Sequence, residues 1–333
     1  MFFTQGKAEV KMTQFHNDDH KIIHLPINRR SLLLSAGLGI GLSMIEGLTV
    51  NAVAKGVNLP GFSAFSDSVK VYKNSKYYLI ESNGIPTHTM MVGIKSWQQQ
   101  IPVPQPYSGN NAWSLPITPK LSKTPISNKG NFLRGAIGIA VNGIPIFNAL
   151  NNRGDDAFLA GELDNFGGHC GQADDYHYHA APFHLQNVVG FKSPIAYALD
   201  GFPLFGEKEP DGSPIKPLDS FNGHTYGKFG YHYHGTTTYP YINGGFMGVV
   251  NQLDGQVNPQ ATTYPFRPPQ RPLQGAEIES CENLGNNHFK LKYKLGNDEI
   301  TLDYRATLTS VEISSSSSTG TSTSEVFQRR NSR

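Results

Sequence analysis

Charged residues are scarce in this sequence. Only 16% of its 333 residues are Asp, Glu, Lys or Arg, against about 25% in an ordinary soluble domain. The formal net charge is +2, and no basic stripe interleaved with aromatic residues is present. We therefore expect no nucleic-acid partner.

Cysteine is scarcer still. Cys170 and Cys281 are the only two, too few for a disulfide framework or a Cys-rich zinc module. The sequence leaves open whether they form one disulfide after export, because spacing alone does not show whether the two sulfur atoms meet.

Glycine and proline are abundant instead, with 35 and 22 residues. Proline costs about 3 kcal/mol inside a helix, so this composition argues against a helical bundle. The 15 Tyr and 19 Phe residues supply apolar area for a core. We predict a mainly β protein, a sandwich- or barrel-like domain with an internal duplication, long loops and few helices.

Residues 1–54 resemble an export signal of the twin-arginine type. Arg29-Arg30 precede an apolar stretch, Leu32–Ile45, and Ala52-Val53-Ala54 is a small-x-small cleavage pattern. The apolar stretch is shorter than the roughly 20 residues that cross a bilayer, which argues against an anchor helix. We expect an exported protein, periplasmic or extracellular, whose mature chain has no stable membrane span.

Four segments are predicted after the signal. Residues 55–258 form the β domain, within which the Pro-rich residues 101–119 indicate a surface loop. Residues 259–274 are a Pro-rich linker, and the alternating apolar pattern of residues 275–313 predicts a small β-hairpin unit. The Ser-rich residues 314–333 are expected to be disordered, because they contain little that can bury in a core.

A duplicated motif is the most informative feature. Residues 163–179, which end in Tyr-His-Tyr-His, recur 55 residues later as residues 218–234. The upstream segment 140–147, which contains an Asn-Gly-Ile-Pro turn, recurs 58 residues later as 198–205. The repeats thus span about 140–182 and 198–240, and we predict two equivalent units related by a pseudo-twofold axis.

The repeated histidines have the spacing of metal ligands. Alternation along a strand places His177 and His179 on one face, where two imidazoles can bind one ion, and His169 precedes them closely enough to join. Three imidazoles leave an open coordination position, as in catalytic zinc or copper sites. The predicted metal ligands of the two repeats are His169, His177, His179, His224, His232 and His234.

Two carboxylates complete the predicted sites. Asp164 and Asp219 stand at equivalent places in the repeats, and we expect each to accept the second N–H of a ligand imidazole. Copper is slightly preferred over zinc, because copper stands at the top of the affinity order. The sequence assigns no substrate, ligand or catalytic residue, and it leaves open whether the protein is an enzyme and whether the repeats share one site.

A metal-free alternative also fits the pattern. The Tyr face would pack in the core while the His face lines a polar seam, and the protein would be an extracellular recognition or structural module. Trp97 and Trp113 would then supply stacking surfaces. Outside the repeats, His88, His184 and His288 are expected to be surface or packing residues.

The motifs resemble those of the YHYH domain family, which consists of exported bacterial proteins. The likeness runs from about Ser82 to Met247, and the resemblance implies export and a shared fold, without a settled activity. The matching segments are Asn83-Gly84-Ile85-Pro86, Tyr176–His179, Ser193-Pro194, Asp200–Gly206, Tyr231–His234 and Tyr239-Pro240-Tyr241.

The export interpretation predicts the N-terminus of the exported protein. If a signal peptidase reads Ala52-Val53-Ala54, N-terminal sequencing of the exported chain gives a start at or near Lys55. Exported protein that retains Met1 would contradict the prediction.

Overall fold

Short strands separated by turns build most of the protein. The computed structural model describes residues 56–330, so the predicted export signal, residues 1–54, lies outside the described residues. No helix within residues 56–330 is long and apolar enough to cross a membrane. The α-helix α1 (Gln186–Val189) is a single turn, and 3-10 turns occupy Phe62–Phe65, Gly109–Asn111, Phe183–Leu185 and Gly227–Phe229.

The strands are numbered in chain order. They are β1 (Lys70–Lys73), β2 (Tyr77–Glu81), β3 (Trp113–Pro116), β4 (Leu121–Ser127), β5 (Ala136–Ala140), β6 (Pro145–Phe147), β7 (Gly168–Cys170), β8 (Tyr176–Tyr178), β9 (Ala196–Ala198), β10 (Pro203–Phe205), β11 (Gly223–Thr225), β12 (Tyr231–His234), β13 (Gly245–Gly248), β14 (Asn251–Leu253), β15 (Gln256–Asn258), β16 (Ala276–Asn283), β17 (His288–Leu295), β18 (Asp298–Ala306), β19 (Ser310–Ser317) and β20 (Ser322–Gln328).

The central sheet has eight strands in the order β11-β12-β10-β9-β5-β6-β8-β7. Counted inward from its two ends, this order matches each strand of one repeat with the equivalent strand of the other: β11 with β7, β12 with β8, β10 with β6 and β9 with β5. The antiparallel pair β5 and β9 lies at the centre, where Ile139 is the register partner of Tyr197. These two positions are themselves equivalent in the repeats, so the pseudo-twofold axis passes through this pair. The predicted internal duplication is confirmed in the sheet order.

Glycines make the two central hairpins tight. Gly143, between β5 and β6, has φ 80°, and its equivalent Gly201, between β9 and β10, has φ 91°. A Cβ at Gly143 would lie 2.6 Å from Cβ of Ser82, and one at Gly201 would lie 2.8 Å from the carbonyl oxygen of Pro116. Backbone conformation and close approach both require glycine at these turns.

The remaining strands form further sheets around the central one. Strands β1, β2 and β3 form an antiparallel sheet, β4 pairs with β13, and β14 pairs with β15. Strands β16 to β20 form a five-stranded antiparallel meander. The mainly β class with few helices is thus confirmed. None of these sheets closes into a barrel within residues 56–330, because each has two terminal strands.

The expected disorder of the Ser-rich tail is wrong for most of its length. Ser314–Ser317 lie in β19, and β20 continues the meander to Gln328. Val311, Ile313 and Phe327 belong to or pack on the apolar core. Backbone hydrogen bonds hold a strand pair whatever its side chains, so a few apolar anchors are enough to order a Ser-rich strand.

The predicted surface loop at residues 101–119 is also wrong. Ile101, Val103 and Tyr107 are fully buried, and the segment runs into β3. Apolar residues alternate with prolines here, so one side of the extended chain faces the core. The Tyr304 hydroxyl of β18 donates to the Pro102 carbonyl (3.1 Å). The C-terminal meander therefore packs on the rest of the fold through this segment.

A buried ion pair joins the segment before β16 to the hairpin β7–β8. Arg267 donates to both oxygens of Asp174, at 2.9 Å and 2.6 Å, and the Ile101 N–H donates to the same carboxylate. Burial raises the pKa of Asp174, and Arg267 opposes that shift. The carboxylate therefore depends on Arg267 for its charge compensation.

Arg267→Met is expected to destabilise the protein by about 3 kcal/mol, because it leaves a buried carboxylate without its cation. Urea unfolding of the variant and the wild type measures the difference. Arg305→Met, which changes an exposed arginine of β18, is the matched control and is expected to have little effect. Equal stabilities of the two variants would show that the buried pair does not matter.

Candidate metal centres

The six predicted histidines form two separate groups. The antiparallel pair β7 and β8 brings His169 opposite His177, and the equivalent pair β11 and β12 brings His224 opposite His232. The remaining histidine of each motif follows two residues later on the same face. We call His169, His177 and His179 cluster 1; cluster 2 consists of His224, His232, His234 and Glu209.

The clusters lie at opposite ends of the central sheet. Five strand spacings separate β8 from β12 in the sheet order, and at about 4.8 Å each these amount to roughly 24 Å. One ion therefore cannot bind to both clusters. The six histidines thus form two separate groups in the fold and do not converge on one shared point.

The imidazole nitrogens converge within each cluster. In cluster 1, Nε2 of His179 lies 3.1 Å from Nε2 of His169 and 3.1 Å from Nε2 of His177. In cluster 2, Nε2 of His232 lies 3.3 Å from Nε2 of His224 and 3.1 Å from Nε2 of His234. Every ring thus presents the same nitrogen to one point.

Main-chain carbonyls orient the rings from the other side. In cluster 1, Nδ1 of His177 donates to the Asp175 carbonyl (2.9 Å), and Nδ1 of His179 donates to the Asn148 carbonyl (2.5 Å). Because Nδ1 carries the proton, each neutral ring has an unprotonated Nε2 with its lone pair toward the cluster centre.

Cluster 2 repeats this arrangement. Nδ1 of His232 donates to the Gly230 carbonyl (3.1 Å), and Nδ1 of His234 donates to the Gly206 carbonyl (3.0 Å). These carbonyls stand at the positions equivalent to those used in cluster 1. The duplication has therefore preserved the backbone that orients the rings as well as the histidines themselves.

Burial lowers the pKa of four of the six rings. It lowers the pKa of His179 to about 3, and the adjacent His177 ring lowers it further. Burial also lowers the pKa of His169, His232 and His234. At neutral pH these imidazoles are in the unprotonated form that binds metal ions.

Glu209 is a cluster residue that the sequence reasoning missed. Its Oε1 lies 3.2 Å from Nε2 of His224, and its Oε2 lies 3.2 Å from Nε2 of His232 and 3.5 Å from Nε2 of His234. Burial acts to raise the pKa of Glu209, but the Lys216 N–H and the nearby imidazoles outweigh it and lower the pKa overall. The equivalent residue in the first repeat is not a glutamate, so comparing the repeats for shared residues does not identify Glu209.

Asp164 and Asp219 do not perform the predicted role. Asp164 accepts from the Tyr176 hydroxyl (2.7 Å), and Asp219 accepts from the Tyr231 hydroxyl (2.8 Å). Each also accepts hydrogen bonds from two backbone N–H groups of its own loop: Asp164 from residues 166 and 168, and Asp219 from residues 221 and 223. The carboxylates lie on the tyrosine side of the strands, so they shape the loops while backbone carbonyls take the imidazole N–H groups.

The two cysteines are buried free thiols, and no bridge joins Cys170 to Cys281 in this structure. Burial raises the pKa of Cys170 well above its ordinary value and that of Cys281 to about 12. Neither thiol is a member of the two clusters. Both therefore contribute apolar packing to the core.

The other histidines and the tryptophans fall in different surroundings. His88 and His184 contact the Tyr178 hydroxyl through Nε2, at 2.7 Å and 3.4 Å. His288 lies on β17 with its Nε2 2.7 Å from Asp303. Trp97 and Trp113 are 3% and 1% exposed. The stacking surfaces that the metal-free alternative needs are therefore not available from these tryptophans.

No curated protein and no solved structure matches the chain. The model of the YHYH protein family matches residues 112–214. The match begins just before β3 and ends after Glu209, so it contains the whole of cluster 1 but stops before β12. The resemblance predicted from the Tyr-His-Tyr-His motifs is thereby confirmed over residues 112–214, where the chain is similar to the YHYH protein family.

Proposed function

We propose that this protein is exported and binds two transition-metal ions, copper or zinc, one in each cluster. The observation that carries the proposal is the convergence of three imidazole Nε2 atoms in each cluster. In two rings of each cluster Nδ1 donates to a main-chain carbonyl, so the proton is on Nδ1 and Nε2 has a free lone pair. Lone pairs brought this close repel each other unless a cation lies between them.

The spacing of the nitrogens supports a metal ion as that cation. Zinc binds imidazole nitrogen at about 2.0–2.1 Å in tetrahedral geometry, which places two ligand nitrogens about 3.3 Å apart. Four of the Nε2–Nε2 distances, two in each cluster, are 3.1 Å to 3.3 Å. Protons are the poorer alternative, because burial lowers the pKa of most of these rings.

Ligand chemistry restricts the choice of metal. Neutral imidazole suits both copper and zinc, and copper binds more tightly to a given nitrogen site. The carboxylate of Glu209 is also an ordinary zinc ligand in tetrahedral sites. Copper and zinc are therefore the two ions to offer.

We expect the untagged mature protein to bind two ions per chain. His177→Ala with His179→Ala is expected to leave one ion, and so is His232→Ala with His234→Ala, because each pair removes two ligands from one cluster only. Metal analysis after dialysis against copper or zinc measures the stoichiometry. His288→Ala, a histidine outside both clusters, is the matched control and retains two ions.

Binding of less than about a tenth of an equivalent after either metal is offered would contradict the proposal, because preformed sites of three imidazoles bind these metals tightly. Complete loss of metal in either double variant would also contradict two independent centres. Both results differ from a folding failure, which circular dichroism of the same samples detects.

Bound metal is expected to stabilise the fold. A ligand held only by the native state adds about 2.7 kcal/mol when its free concentration is one hundred times its dissociation constant. Thermal unfolding of the loaded protein should therefore occur at higher temperature than after chelation. A variant that lacks His177, His179, His232 and His234 should unfold at the same temperature with and without chelator; a chelator effect there would place the stabilising ion elsewhere.

A further inference from the structure

We infer that the two centres are chemically different: cluster 2 completes its metal coordination with Glu209, whereas cluster 1 keeps one position for a small exogenous ligand, water or an anion. The inference rests on the proposed metal binding. It follows from a single position of the fold at which the two repeats have different residues.

Glu209 of cluster 2 and Asn151 of cluster 1 occupy that equivalent position, 58 residues apart. The local backbone is the same in both. The Glu209 N–H donates to the Ser213 carbonyl and the Gly212 N–H to the Glu209 carbonyl; the Asn151 N–H donates to the Asp155 carbonyl and the Gly154 N–H to the Asn151 carbonyl. The difference between the clusters therefore lies in the side chain.

The Glu209 side chain reaches all three rings of its cluster, with carboxylate oxygens 3.2 Å to 3.5 Å from their Nε2 atoms. The Lys216 N–H donates to Oε1 (2.9 Å) and fixes the carboxylate in this place. Three imidazoles and one carboxylate make the four-ligand set of a closed tetrahedral site.

The Asn151 side chain cannot take this role. Its Oδ1 accepts from the Arg153 N–H (2.9 Å) and the Asp155 N–H (3.1 Å), so the atom that would bind a metal is already used. Its Nδ2 lies 3.3 Å from both carboxylate oxygens of Glu162. Arg153 also pairs with Glu162, which compensates the charge of that carboxylate.

A small polar cavity reaches cluster 1. Its volume is about 10 Å³, close to the minimum that one water molecule requires. Its lining includes His169 of the cluster together with Gln98, Gln100 and Glu162. A ligand bound beside His169 would therefore find hydrogen-bond partners.

Charge favours an anionic ligand at the same centre. A divalent ion held by three neutral imidazoles keeps its full charge of +2, whereas the carboxylate of Glu209 reduces the net charge of the other centre to +1. Attraction for an anion scales with this charge and is strong where water is excluded. The Asp175 carboxylate lies 3.4 Å from Nδ1 of His177, on the side of the ring that faces away from the other two histidines, so it does not take a ligand position. Cluster 1 is thus the centre that keeps a position for a small anion or water.

Cobalt and azide test the inference on the whole mature protein. Co²⁺ accepts the same ligands, and its visible absorption changes when a ligand is exchanged or added. We expect the wild type loaded with two cobalt ions to bind one azide. With His232→Ala and His234→Ala, the single remaining cobalt is expected to respond to azide; with His177→Ala and His179→Ala, the single remaining cobalt is expected not to respond.

Other outcomes overturn the inference. Two azides bound to the wild type, none bound, or an azide response that persists when only cluster 2 is loaded would show that the centres do not differ as inferred. The wild-type ratio decides the question even if a double variant does not fold. A wild type that binds neither cobalt, copper nor zinc would instead overturn the proposed function, and this inference with it.

Discussion

Side-chain alternation along β8 and β12 is the constraint on which the core and both candidate centres depend. Tyr176, Tyr178 and Tyr233 are at most 1% exposed, and they anchor each strand in the core. The histidines between them are thereby forced onto the opposite face. A shift of one residue in register would exchange the two faces, so the packing of the tyrosines fixes which nitrogens meet. The two histidine clusters are thus a consequence of how the core is packed.

The second requirement is that the rings turn the correct nitrogen inward. Backbone carbonyls orient the rings in this way by accepting the Nδ1–H groups. In cluster 1 one of these carbonyls, that of Asn148, directly follows β6, and in cluster 2 the equivalent carbonyl of Gly206 directly follows β10. Since β6 pairs in parallel with β8 and β10 with β12, the same sheet that positions the strands also positions their acceptors. A side-chain carboxylate is not needed for this purpose, which leaves Asp164 and Asp219 to hold their loops and a tyrosine hydroxyl each.

Sequence reasoning reached the parts of this arrangement that depend on local periodicity or on repetition. Strand alternation and the fixed offset were enough to predict the duplication and the membership of His169, His177 and His179 in one site. Glu209 was not predicted, because it joins the cluster only through tertiary folding and the equivalent residue of the other repeat is different. The acceptors of the imidazole N–H groups were missed for a similar reason: every residue has a carbonyl, so no sequence pattern marks the ones that are used. The order of the Ser-rich tail and the burial of residues 101–119 likewise come from backbone pairing and from contacts with distant strands.

The repeats have kept their backbone while they diverged in charge, and carboxylates have been exchanged in both directions. Cluster 2 has Glu209 where cluster 1 has Asn151. On the tyrosine face of the same repeat, Asp200 accepts from the Tyr233 hydroxyl (2.6 Å), whereas its equivalent Asn142 lies 3.0 Å from the Tyr178 hydroxyl. Burial raises the pKa of Asp200 to about 6, so this carboxylate carries most of its charge at neutral pH. The first repeat has a carboxylate of its own where the second has Gly230, because Asp175 lies 3.4 Å from Nδ1 of His177. The two imidazole sets therefore differ in where the neighbouring negative charge stands: beside the inward Nε2 atoms in cluster 2 and beside an outward Nδ1 atom in cluster 1.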